Sequence, residues 1–80
     1  AVDRSLALNP EASAIWDTRG QILNARHLYQ EALLSLDRAL TLDPNDSDTW
    51  SYKGISLRAL GRTAEAEAAE QRARELGWKG

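Results

Sequence analysis

The chain has 80 residues, a formal net charge of −2 and neither cysteine nor methionine, a length that allows one small domain with a core of marginal size. Without cysteine there is no disulfide framework, no thiolate nucleophile and no cysteine-type zinc site. The acidic balance argues against a nucleic-acid module, which would present a basic face. No apolar run approaches the ~20 residues that span a bilayer, and no charged-then-apolar start marks a signal peptide. A membrane partner is therefore not expected, and no compartment is assigned. The lack of even an initiator methionine suggests a piece cut from a longer polypeptide.

Residues 1–8 read as the last turns of a helix, with Val2 and Leu6 on one side. Asn9-Pro10 is a helix start, because Asn caps free N–H groups and Pro tolerates the first helical position. The helix that follows, about 11–25, carries Ile15, Trp16, Ile22 and Leu23 at helical spacing. Gly20 lies in its interior, at a cost of ~1 kcal/mol against Ala. A second helix, about 28–42, presents Leu28, Ala32, Leu36, Ala39 and Leu40, while Leu33 and Leu34 widen its apolar sector toward a second neighbour. Asp43-Pro44 repeats the cap-and-proline start of a third helix, about 45–60, with Trp50, Leu57 and Leu60. Asp46 and Asp48 add negative charge where the helix dipole favours it. Gly61 fits a left-handed terminus and Thr63 a new cap for a fourth helix, about 63–76. There Glu67, Glu70 and Arg74 stand where Leu33, Leu36 and Leu40 stood, and Glu70 and Arg74 are spaced as a helical ion pair. Gly77 ends that helix, with Trp78 folding back toward Ala73.

The chain repeats itself at 34 residues. Trp16, Gly20, Leu23 and Ala25 recur as Trp50, Gly54, Leu57 and Ala59, and Glu31-Ala32 and Arg38-Ala39 recur as Glu65-Ala66 and Arg72-Ala73. The echo also runs backwards, with Asp3, Leu6, Leu8 and Pro10 matching Asp37, Leu40, Leu42 and Pro44. A fixed period of this size marks stacked helical repeats. The two glycines imply close approach of a neighbouring helix at the same place in each unit.

The spacing of Trp, Gly, Ala and Pro resembles the tetratricopeptide repeat over nearly the whole chain. The resemblance implies an all-α fold of antiparallel helix-turn-helix pairs stacked as a short right-handed solenoid. It divides the single domain into the end of a preceding repeat helix (1–8), a first repeat (11–44) and a second (45–78). Trp16, Gly20, Leu23, Ala32, Leu36, Ala39, Pro44, Trp50, Gly54, Leu57, Ala66 and Ala73 become framework positions, with both tryptophans expected in the core. The implied function is a scaffold that takes a partner protein or peptide in a concave groove, with no catalysis and no cofactor. Carried over by position, the groove is Ala14, Asp17, Thr18, Gln21 and Asn24 in one repeat. In the next it is Asp48, Ser51, Tyr52, Ile55 and Arg58, with Tyr52 the best anchor. Arg19 and Lys53 depart from the usual Leu before the framework glycine, and the Lys/Asn/Arg clamp of chaperone-tail binders is not supplied.

Other chemistry is weaker. The cluster Asp43 to Asp48 lacks the Gly and Glu that a calcium loop needs at its sixth and twelfth places. The single histidine, His27, sits in a predicted turn with neither nucleophile nor orienting carboxylate. Two further readings stay open: a structural segment that associates with its own kind, and a non-catalytic appendage of a larger enzyme. The polar outer face of helix four implies an array end nearby. The apolar residues of the first helix and the half-helix before it imply a continuation upstream, or a two-fold dimer through that end.

Overall fold

A computed structural model describes residues 10–77 of the chain. Four helices follow one another: α1 (Pro10–Ala25), α2 (Tyr29–Leu42), α3 (Ser47–Ala59) and α4 (Thr63–Glu75). Each lies within two residues of its expected bounds. α1 packs on α2 and α3 on α4, α2 bridges the two pairs, and α1 also touches α3. The arrangement is a small all-α solenoid. The half-helix expected at 1–8, the Asn9 cap and the Trp78 contact lie outside the described residues.

Packing follows the small side chains. Ala32, Leu36 and Ala39 are wholly buried on α2, as are Ala66 and Ala73 on α4. A Cβ placed on Gly20 would lie 2.5 Å from Leu36 Cδ2, so the glycine lets α2 reach the α1 backbone. One period later, a Cβ on Gly54 would lie 2.8 Å from Glu70 Cγ and 3.3 Å from the Ala66 carbonyl. Leu33 crosses between the pairs into a cluster with Leu57, Ala66 and Ala69, against which Trp50 and Leu60 pack. Each such leucine contributes about 1.5–3 kcal/mol of burial.

The helix ends differ from expectation in three places. α3 begins at Ser47 rather than 45, because its cap is Asp46, whose carboxylate accepts from the N–H groups of Asp48 and Thr49. Asp43 instead closes α2, donating its N–H to the Ala39 carbonyl while its Oδ1 accepts from Asn45 N–H in a local turn. Thr63 is the first residue of α4 and not its cap; Arg62 holds the cap position and makes no side-chain bond there. Gly61 does take the left-handed conformation, at φ +82°. His27, its equivalent one period earlier, takes it too at φ +64°. Both corners close alike: His27 N–H donates to Asn24 O and Leu28 N–H to Leu23 O, as Gly61 does to Arg58 O and Arg62 to Leu57 O. This is the double-bonded helix end that favours glycine.

The tryptophans are half-buried rather than core. Trp16 lies at the surface between α1 and α2, with the guanidinium groups of Arg19 and Arg38 each 5.6 Å from its ring centre. Trp50 packs on the Leu33 cluster, has Lys53 Nζ 5.3 Å from its ring, and donates its indole N–H to Pro44 O at 2.8 Å. Lys53 also pairs with Asp37 at 2.8 Å, which ties α3 to α2. The charged heads of the two departing basic residues, Arg19 and Lys53, thus lie over the tryptophan rings one period apart, where the ring quadrupole attracts a cation.

Candidate functional site

Successive helical residues turn by about 100°, so the side chains of α1 point at distinct neighbours. Gly20 faces α2. Asp17 and Asn24, seven residues apart, face α3 and bond to it. Thr49 Oγ1 donates to Asp17 Oδ1 at 3.0 Å, and Gln21 Nε2 donates to Asp17 Oδ2 at 3.1 Å. Asn24 Nδ2 donates to the Tyr52 carbonyl at 3.3 Å, and Ser56 Oγ donates to Asn24 Oδ1 at 2.5 Å. Thr49 and Ser56 are wholly buried by these contacts. Asp17 and Asn24, two of the residues expected to line the groove, are therefore engaged within the stack, and Thr49 and Ser56 are the partners that sequence reasoning missed. Their signal was present: they are the polar replacements, one period on, of Ile15 and Ile22.

Two more groove positions are also taken up. Ser51 is buried. Arg58 is exposed, but its guanidinium grips Glu70 through Nε at 3.2 Å and Nη2 at 2.9 Å. Glu70 thus pairs across to α3 rather than with Arg74 along its own helix, because a planar fork meets both carboxylate oxygens at once. That contact raises the Arg58 pKa.

What remains open on the side of α1 and α3 away from their partner helices is Ala14, Thr18, Asp48 and Ile55, with Gln21 and Tyr52 half-buried among them. The electrostatics there are acidic. Burial pushes the Asp17 carboxyl above its usual value, the bonds from Thr49 and Gln21 oppose that shift, and Asp46 and Asp48 add to it. Burial likewise raises the Tyr52 phenol, reinforced by Asp17, Asp48 and Asp46. Tyr52 is thus a partly desolvated aromatic beside negative charge, suited to contact with a chain that carries basic groups.

Among the described residues, no group of His, Cys, Asp and Glu is arranged to hold a metal ion, and no helix is long and apolar enough to cross a membrane. His27 stacks on Tyr29 with ring centres 5.6 Å apart at the α1–α2 corner, away from the open face.

Two family models, both described as tetratricopeptide repeat, match the chain, one over residues 1–47 and the other over residues 35–68. No curated protein and no solved structure matches it.

Proposed function

Because this chain belongs to the tetratricopeptide repeat family, we propose that it holds a peptide segment of a partner protein on the open face of α1 and α3. Repeats of this family are generally protein–protein interaction modules and typically non-catalytic. The observation that carries the reading is the position of Tyr52 and Ile55. Both lie on α3 away from α4, and Ile55 keeps 47% of its surface exposed. Thr18 and Gln21 supply polar groups on the adjoining helix. Asp48, with Asp17 and Asp46 behind it, favours a peptide with a basic residue beside an apolar one. Asn24 and Arg58 are left out of this contact surface, since both already bond within the stack.

Selection from a random peptide library tests this. Tyr52→Ala and Ile55→Ser are expected to weaken the selected peptides about tenfold or more, within the range for anchor residues, and to leave thermal melting nearly unchanged. Selected peptides should be enriched in Lys and Arg. Peptides whose affinity survives both substitutions would move the surface elsewhere.

A further inference from the structure

Trp16 and Trp50 stand one period apart, each in a cleft between the two helices of its repeat. Around Trp50 both nearby cations are neutralised. Lys53, with Nζ 5.3 Å from the ring centre, pairs with Asp37 at 2.8 Å. Arg72, which lines the same cleft, pairs with Glu75 at 3.3 Å. Around Trp16 neither cation is. The guanidinium groups of Arg19 and Arg38 each lie 5.6 Å from the ring centre, and among the described residues no carboxylate pairs with either. Thr41 stands where Glu75 stands one period on, so the acid that holds Arg72 has no counterpart for Arg38. Asp37 lines the Trp16 cleft but is taken by Lys53 of α3, and Glu31, beside Arg19 in the adjoining cleft, forms no ion pair with it.

Two like charges thus share one ring, and the indole attracts each without neutralising either. The cleft holds about 380 Å³ and opens to solvent. Leu34, 72% exposed, forms an apolar edge where the second repeat has only Ala68. Guanidinium meets carboxylate through a planar fork, and the aliphatic stem of an acidic side chain finds the indole and Leu34 to lie on. Both cations are within reach of one short segment, because both lie against the same ring.

We propose that the Trp16 cleft binds an acidic segment of a partner protein, with Arg19 and Arg38 each taking a carboxylate as Lys53 and Arg72 do in the second repeat. This surface shares no residue with the one carrying Tyr52 and Ile55 and selects the opposite charge, so the two are tested with different peptides.

Titration of the isotope-labelled 80-residue chain with hexaglutamate at low ionic strength, followed by the indole N–H resonances of its tryptophans, tests the cleft. Trp16→Phe assigns the Trp16 signal. That signal is expected to move and the Trp50 signal to stay, since the cations beside Trp50 are already paired. Arg19→Gln and Arg38→Gln, both at exposed positions, should each weaken the titration about two- to fivefold, the range for one exposed ion pair. Added salt should weaken it further. Asp37→Asn with Glu75→Gln frees Lys53 and Arg72 and should make the Trp50 signal respond as well. A Trp16 signal unmoved at millimolar peptide, one that moves equally without the two arginines, or a Trp50 signal that stays still once its cations are freed would overturn the proposal. So would an equal response to inorganic phosphate, which marks a general anion site. Asp3 precedes Arg19 by the spacing at which Asp37 precedes Lys53; peptide that binds only after Asp3→Asn would give the cleft to the chain's own first residues and overturn it too.

Discussion

Gly20 and Leu36 are in contact without room for one more carbon: a Cβ on Gly20 falls 2.5 Å from Leu36 Cδ2 and 2.6 Å from its Cγ. Leu36 is wholly buried, so it cannot swing aside. Gly20→Ala is expected to destabilise the chain by about 1–3 kcal/mol, the range for overpacking, even after the ~1 kcal/mol of helix propensity that Ala supplies. Gly54→Ala should cost less, because the nearest atom there, Glu70 Cγ at 2.8 Å, belongs to a half-buried side chain with more room to shift, although the Ala66 carbonyl at 3.3 Å limits the gain. Paired denaturant titrations check the order; equal losses would show that Leu36 has room.

The two tryptophans should separate in the same assay. Trp50 packs on the Leu33 cluster and bonds to Pro44 O, so Trp50→Ala is expected to cost about 2–3 kcal/mol, short of the ~3–5 for a fully buried aromatic. Trp16 sits in an open cleft beside Leu34 and Arg38, so Trp16→Ala should cost less. A larger loss at Trp16 would contradict the half-buried geometry.

His27 holds a left-handed backbone at φ +64° in the corner where its equivalent is Gly61. His27→Gly removes the Cβ clash of that conformation, a gain of about 1–2 kcal/mol, part of which is offset by the freer unfolded chain. The stacking on Tyr29 is lost as well. The melting temperature is expected to rise by a few degrees, and Gly61→Ala should lower it.

Asp17 sets a pH dependence whose sign follows from its raised pKa. Burial is the main cause, so the folded state holds the proton at a pH where the unfolded state has released it. Its contribution to stability therefore falls as pH rises from the ordinary carboxylate value near 3.8 to the raised folded value, and is level above that. Asp17→Asn removes this dependence. Melting curves of the two chains across the acid range should show the native chain losing ground to the variant as pH rises; the reverse slope would mean that the bonds from Thr49 and Gln21 outweigh burial.

Much of this architecture was legible in the residues because it depends on local geometry. Apolar spacing determined the four helices, the 34-residue echo determined that they pair and stack, and Gly20, Gly54 and Gly61 marked two close approaches and a left-handed corner. Each of these is a property of one helix or one turn and its own side chains. The tertiary structure decided which polar residues remain available. Helical register tells in which direction Asp17 and Asn24 point, but only the seating of α3 brings Thr49 and Ser56 within hydrogen-bond reach of them. Arg58 likewise draws Glu70 away from Arg74 because α4 passes within reach of a bidentate fork. Asp46 rather than Asp43 caps α3 because α3 begins only at Ser47, while the Asp43 carboxylate accepts from Asn45 N–H in the turn before it. The tryptophans stay half-exposed because an aromatic between two helices is buried only when a third element covers it, and whether one does is a matter of stacking that no single helix encodes.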